Sequence, residues 1–498
     1  MHNIPANPHH AKRWWILAVI GVAQLMIFLD ITVVTIALPS AQADLGFADD
    51  IRQWIFTAYA LAFGSLLLLG GRLGDLFGHK RVLLIGLVGF AAVSLLGGVA
   101  GNFGTLVTAR ALQGVFAAVV APAALSFLIT TFGDPKERAK AFGIYGALAS
   151  SGIAFGLLLG GSLTAIDWRW CMFINIIFAG VVFAGAVPLL HNVPGFAKPK
   201  LDIPGTIAAS AGLFALTYGL SNAATGSWGV PKVWVFLVVG AVLLIGFVLL
   251  ETRVKQPLLP MRIVLDRNRG GSYLAMFLLG IGILGVYLFL TYYLQQNLGF
   301  SPIQAGLAFL PLVLATAIGA TILPGILFPR LGANVVIPAG LLTAAVGVFW
   351  LGRIDAGSTY VNGALFPLIV AGLGIGLVIA LATAVATLGV APQDAGSASG
   401  LVNTVQQVGG TIGTALLSTI SLTSATHFLA GKNPTPQAVS EAAVHSYSVA
   451  FTWAAGVYFV AAVACAALLE RPAAVARRIQ ALQAGQAGQA DAAGPAAA

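Results

Sequence analysis

Two charged side chains stand deep inside stretches that are otherwise apolar: Asp30, in a run over residues 14–38, and Arg110, in a run over 103–130. An ion at the centre of a bilayer costs about 2.5–3.5 kcal/mol even on lenient insertion scales, so each needs a cavity or a partner. Asp30 lies eight residues before Leu38, and Arg110 lies eight residues after Asn102. At about 1.5 Å per residue, both sit roughly 12 Å below the same face, and the two can meet. Two chemistries fit such a pair. One is a fixed ion pair that holds two helices together; the other is a carboxylate that takes up and releases a proton beside a cation. The second half of the chain has no charged counterpart within its apolar runs.

The elements that position these groups follow from composition. The 498 residues are 58% hydrophobic and only 8% charged, with a mean hydropathy of +0.93, whereas soluble domains carry about 25% charged residues. Apolar runs fall at 14–38, 53–69, 82–100, 103–130, 141–164, 171–190, 203–222, 233–251, 271–295, 303–327, 335–351, 363–387, 400–424 and 446–469. Each suits a bilayer crossing of about 20 residues, so the expected fold class is an all-α membrane protein with 14 transmembrane helices. The first run exceeds a cleavable signal core of about 7–15 residues, although Ala41-Gln42-Ala43 follows it. The net charge of +9 does not point to nucleic acid, because the basic residues lie singly or in threes between the runs. With both termini cytoplasmic, 19 Lys and Arg fall inside and five outside (Arg52, Arg169, Lys232, Arg353, Lys432), while Arg110 lies within a span. That distribution obeys the positive-inside rule and places the chain in a cytoplasmic (inner) membrane.

A repeat divides the chain. Leu45-Gly46-Phe47 follows the first run and Leu298-Gly299-Phe300 the ninth; Gly71-x-Leu73-x4-Gly78 and Gly325-x-Leu327-x4-Gly332 follow one run later, at offsets of 253 to 254 residues. Two six-helix halves about an axis along the membrane normal are implied, with a cavity between them. The expected units are a cytoplasmic segment 1–13, a six-helix bundle 14–190, a two-helix linker with a basic loop 191–270, a second bundle 271–469 and a tail 470–498. The tail, rich in Ala, Gly and Gln, is expected to be disordered.

Between the second and third runs lies Gly71-Arg72-Leu73-Gly74-Asp75-Leu76-Phe77-Gly78-His79-Lys80-Arg81, read as a loop. Its glycines permit a tight turn and close helix approach. Asp75 can accept hydrogen bonds from exposed helix-end amides or pair with a base, and Lys80 and Arg81 hold the segment inside. Gly152, Gly156 and Gly160 form a stripe at i, i+4, i+8 that lets helices approach. Gly400, Asn403, Gln407 and Gly410, with Gln406 adjacent, give run 13 a polar face suited to substrate contact or to hydrogen bonds with a neighbouring helix. Tyr59, Tyr145, Tyr287 and Tyr292 are further cavity candidates, although tyrosines near span ends also serve as interface anchors. Cys171 and Cys465, inside apolar runs, read as packing residues. No histidine lies inside an apolar run, and none sits in a cluster of His, Cys and acids large enough to hold a metal, so neither a metal nor another cofactor is expected.

The segment from Gly71 through Arg81 resembles the G-x-L-x-D-x-x-G-x-[RK]-[RK] signature of the major facilitator superfamily. Leu29-Asp30-x-Thr32-Val33 with Ala37-Leu38-Pro39 resembles the first-span signature of its fourteen-helix drug:proton antiporters of the EmrB/QacA type. Arg110-Ala111-Leu112-Gln113-Gly114 is similar to the fourth-span motif credited with proton coupling, which also marks Gln113 as a cavity candidate. The glycines at 152, 156, 160 and 161, followed by Trp168-Arg169-Trp170, resemble the fifth-span antiporter motif, except that Leu157 stands where proline is usual. The second-half loop has Pro329 and Arg330 in place of Asp75 and Leu76, so its charged lock is degenerate. The resemblance implies a major facilitator fold and proton-driven export of lipophilic small molecules by a single copy in the lipid bilayer. Import or uniport of a metabolite on the same scaffold is the alternative, whereas an embedded enzyme would need clustered His, Asp, Glu or Cys within the spans.

Overall fold

A computed structural model describes residues 12–470 except 48–50, 52–53, 133, 192–201, 226–227, 255–256, 389, 391–393, 431–432 and 434. The expectations for the leading segment and for most of the tail fall outside the described residues.

An apolar environment leaves no water for the backbone, so each crossing must satisfy its own peptide groups as a helix. The first half comprises α1 (Arg13–Leu45), α2 (Trp54–Phe77), α3 (His79–Gly98), α4 (Phe103–Thr131), α5 (Pro135–Thr164) and α6 (Trp170–Leu189). Next come α7 (Ile203–Thr225) and α8 (Pro231–Glu251), then the short α9 (Met261–Val264). In the second half, α10 (Arg267–Tyr292) is extended by a π-helical turn, Tyr293–Asn297. One crossing is built from α11 (Pro302–Ala308), α12 (Leu310–Thr321) and α13 (Leu323–Leu331). The remainder are α14 (Ala333–Leu351), α15 (Phe366–Ala386, opened by a π turn over Tyr360–Leu365), α16 (Ala395–Leu429) and α17 (Pro436–Leu468). Among the described residues 13 helical segments are long and apolar enough to cross a membrane, and the 30-residue α5 completes the fourteen.

Local signals set several boundaries. The Asn102 side chain accepts the Thr105 N–H at 2.9 Å to start α4, and Ser301 and Gln304 form a reciprocal capping box on α11. The first helix runs seven residues past the expected end at Leu38 and stops at Gly46, whose left-handed backbone (φ 65°) only glycine adopts cheaply. The segment read as a loop over 71–81 is helical on both sides of one residue, Gly78, at φ 90°. Asp75 therefore sits on the last turn of α2. Among the described residues the positive-φ glycines are Gly46, Gly78, Gly299 and Gly332. These are the repeat pairs, so the internal symmetry is present in the backbone.

Within the first half α1 packs on α5, α2 on α4, and α3 on α6. The linker helix α7 packs against α2 and α16, beside the seam between halves. Its companion α8 turns Val235, Val238, Val242, Ile245 and Leu249 outward, each more than half exposed at helical spacing, as a lipid-facing stripe would be. One end of the bundle collects the start of α1, the end of α17, Lys80, Arg81 and the described residues of 252–270; it is termed the basic face below.

Candidate functional site

Asp30 and Arg110 meet. Arg110 Nη1 donates to Asp30 Oδ2 at 2.6 Å and to Gln113 Oε1 at 2.8 Å, and its Nε donates to the Ile55 carbonyl at 3.3 Å. Asp30 Oδ1 accepts from Asn175 Nδ2 at 2.7 Å and from Gln113 Nε2 at 3.3 Å, while Gln113 Nε2 also reaches Ser94 Oγ at 2.8 Å. Asp30, Ser94, Arg110, Gln113 and Asn175 are fully buried. The ion pair is thus enclosed by amides and a hydroxyl from α3, α4 and α6, the only circumstance in which buried charge is tolerable. Asn175 Oδ1 remains buried without a partner.

The glycine stripe shapes this neighbourhood. A Cβ on Gly152 would stand 2.8 Å from the Leu25 carbonyl, one on Gly156 would overlap Thr32 Oγ1, and one on Gly160 would lie 3.2 Å from Val33 Cα. All three face the turns of α1 that flank Asp30, so α5 seats that stretch of α1 directly. Toward the opposite face, Asp44 is bonded by Trp168 Nε1 at 3.1 Å and by Arg169 at 2.8 Å. Those contacts hold its carboxyl below the usual range, the Trp168 hydrogen bond first.

A cavity lies between the halves, with about 1010 Å³ of empty space counting whatever opens to solvent. Tyr145, Tyr287, Asn403, Gln406 and Gln407 line it, as do Gln24, Phe28, Phe63, Met276 and Thr383. Among the described residues that line it, none is Asp, Glu, Lys, Arg or His. Tyr145 donates to Gln24 Oε1 at 2.7 Å, and Asn403 spends its amide on the Ser399 carbonyl of its own helix at 3.0 Å. Three expected cavity residues lie elsewhere. Tyr292, at the end of α10, is exposed and packs beside Tyr447, with ring centroids 6.4 Å apart. Gln113, three residues from Arg110 on the same helical face, belongs to the ion-pair cluster. Tyr59 is turned toward α4, its ring 4.4 Å from the Arg110 guanidinium carbon. Tyr59 also stacks on the cavity residue Phe63, centroids 5.7 Å apart, so two rings connect the ion pair to the cavity wall. Asn175 and Ser94 were not foreseen; the one signal available was a lone polar residue within an apolar run.

Toward the basic face the halves are hydrogen-bonded together. Asp75 accepts from Gly396 N–H at 2.7 Å, Ser397 N–H at 3.0 Å and Ser397 Oγ at 2.9 Å, a carboxylate set against the amino terminus of α16. Gly71 and Gly396 make this approach possible, since a Cβ on either would overlap the other's carbonyl. Ser126 and Ser399 lie 2.9 Å apart. Gly70 packs on the Ala118 carbonyl, which Pro122 leaves without its helical donor. A Cβ on Gly74 would meet the His79 ring, and Lys80 Nζ donates to the Val187 carbonyl at the end of α6 at 2.7 Å. Arg81 is exposed.

Comparison with known proteins agrees with this architecture. The family profile described as Major Facilitator Superfamily matches residues 20–414. The chain is 47% identical over 462 residues to the puromycin resistance protein pur8 of Streptomyces alboniger, covering 92% of each. It is 41% identical to the cephamycin export protein CmcT of Amycolatopsis lactamdurans, over 80% of this chain and 83% of that one. The crystal structure of the human organic anion transporter MFSD10 (TETRAN) superposes with a TM-score of 0.64 at 16% identity, covering 91% of this chain and 99% of that one, a likeness of fold alone. With the fold, the paired glycines and these matches together, the chain is a multi-pass membrane protein that belongs to the Major Facilitator Superfamily.

Proposed function

We propose that the chain exports lipophilic small molecules of the antibiotic type across the cytoplasmic membrane in exchange for protons, working as a monomer with its basic face toward the cytoplasm. The relatives named for resistance and export support the direction, and the clustering of Lys and Arg supports the orientation. The observation that carries the reading is a sealed Asp30–Arg110 pair placed two stacked rings away from an uncharged cavity. The units are the halves 14–190 and 271–469 with the linker 191–270 between them, and the glycines of the α2–α3 corner and of α5 are the surfaces on which the halves and helices move.

In this mechanism the carboxylate form of Asp30 holds Arg110 beneath Tyr59. Protonation removes the charge that fixes the guanidinium, leaving Arg110 to Gln113 and the Ile55 carbonyl. The new carboxylic O–H needs an acceptor, and rotation of the Asn175 amide supplies its unpartnered Oδ1. Arg110 then shifts against Tyr59, Tyr59 against Phe63, and the cavity wall responds as the halves rock. One charge crossing 100 mV yields about 2.3 kcal/mol, enough for a gradient of roughly fifty-fold.

Inverted membrane vesicles bearing the chain test the proposal. An acid-inside gradient should drive accumulation of a lipophilic fluorescent dye, and an ionophore that collapses the gradient should release it. Dye movement that merely equilibrates in either direction, with or without the gradient, would identify a uniporter instead.

A further inference from the structure

The linker helices carry an acidic pair that the export mechanism does not use. Asp202 immediately precedes α7 and accepts the Gly205 N–H on Oδ1 at 3.0 Å. Glu251 ends α8 and accepts the Leu259 N–H on Oε2 at 2.9 Å. The two residues are only 7% and 4% exposed. Their remaining oxygens, Asp202 Oδ2 and Glu251 Oε1, are buried without a hydrogen-bond donor, and they converge on one point. A Cβ on Gly205 would overlap Asp202 Oδ2 and stand 2.7 Å from Glu251 Oε1. Two ionised carboxylates so placed repel each other, and each lacks a donor. A single proton between them supplies the donor and removes one charge. Among the described residues, the charged side chains on neighbouring elements are engaged elsewhere or lie on other surfaces. Arg262 on α9 pairs with Asp394 at 2.6 Å, Asp75 is bonded to α16, Arg72 shares the α2 terminus with it, and Arg253 is exposed after α8.

The same pair touches the closure at the basic face. Glu251 fixes Leu259, and the carbonyl of the adjacent Leu258 lies 3.0 Å from Ser397 Oγ, the hydroxyl that also contacts Asp75. Arg262 ties this segment to Asp394, just before α16. We propose that Asp202 and Glu251 share one proton, and that this proton-holding pair lets the linker brace the gate by keeping Leu258 against Ser397. Loss of the proton forces the start of α7 away from the end of α8 and slackens the brace. The inference goes beyond the export reading and holds whichever way substrate moves.

The test uses the full chain with Asp30→Asn, which removes the carboxylate of the proposed export mechanism, and spin labels on cysteines at the exposed positions Phe77 and Leu388. Cys171 and Cys465 are buried and stay unlabelled. Raising the pH should increase the population open at the basic face by about fivefold or more, the low end of coupling between linked sites. Glu251→Gln replaces the shared proton with an amide N–H and should abolish the response while keeping the gate closed. Asp202→Asn should do the same and serves if the first variant is poorly folded. Infrared spectra should show a protonated-carboxyl band that Glu251→Gln removes. A pH response unchanged in both variants would belong to another group such as Asp75 and would overturn the proposal, as would no response in the parent. Added Mg²⁺ that closes the parent at fixed pH, but not Glu251→Gln, would make a metal cation the occupant and also overturn it.

Discussion

Asp75→Asn removes a single charge from the seam between the halves, and its cost follows from three contacts. The carboxylate accepts hydrogen bonds at 2.7, 3.0 and 2.9 Å from Gly396 and Ser397. Hydrogen bonds to a charged group contribute about 1.5–3 kcal/mol each, and the charge opposite a helix amino terminus adds about 0.3–1 kcal/mol. Asparagine keeps one acceptor oxygen and turns an NH₂ toward donors, so it retains roughly one of the three bonds. The closed basic face should lose about 3–7 kcal/mol relative to the open one, a population change of about 200-fold or more. Electron-spin distance measurements between labels at 77 and 388 should show the long-distance population rising to dominance. Ser397→Ala removes the hydroxyl bond to the carboxylate, about 1.5–3 kcal/mol, together with the contact to the Leu258 carbonyl, and should give a shift of about 12- to 160-fold. If Asp75→Asn is folded and its distances match the parent, the Asp75 contacts do not hold the gate and this reasoning fails.

Three further outcomes follow from the geometry. Gly156→Ala must displace Thr32 and press on the Leu29 carbonyl, 3.0 Å from the new methyl; a loss of about 1–3 kcal/mol is expected as a lowered melting temperature in detergent, and an unchanged melt would mean that α1 and α5 are not closely seated. Tyr59→Phe should be nearly silent in export, because the Tyr59 hydroxyl is buried without a partner, whereas Tyr59→Leu removes the face beneath Arg110 and should cut export; equal effects would sink the ring relay. Because no ionised side chain among the described residues lines the cavity, neutral, zwitterionic and singly charged lipophilic compounds should be exported far better than dications, and a competition assay in which only a dicationic biocide is transported would contradict this.

Much of the site was legible from residue type and spacing. Two charges at equal depth in separate apolar runs have little choice but to meet, and the glycine stripe at 152, 156 and 160 announces a close helix contact. What lay hidden depends on how each helix is rotated about its axis. Tyr59 reads equally well as facing the cavity or facing α4. Asn175 and Ser94 are lone polar residues whose partners come from helices distant in sequence. The corner at Gly78 reads as a loop because it joins two apolar runs and is rich in glycine and charge, yet Asp75 is buried against α16, more than 300 residues away. Glu251 ends an apolar run with nothing in the sequence around it to point to Asp202, 49 residues earlier, which it faces within the linker. Contacts that cross the seam leave no local pattern, so only the folded arrangement reveals them.

The central claim is that a proton on Asp30 drives export. Purified protein in liposomes, with an imposed pH gradient and a neutral lipophilic dye, measures this directly when the parent is compared with Asp30→Asn. The amide preserves the size and much of the hydrogen bonding to Arg110, Gln113 and Asn175 but carries no titrating proton. The account predicts that the variant still binds dye and still equilibrates it, while gradient-driven accumulation disappears. A variant that accumulates dye as steeply as the parent, and still loses it when the gradient is collapsed, would place proton coupling elsewhere and contradict the account.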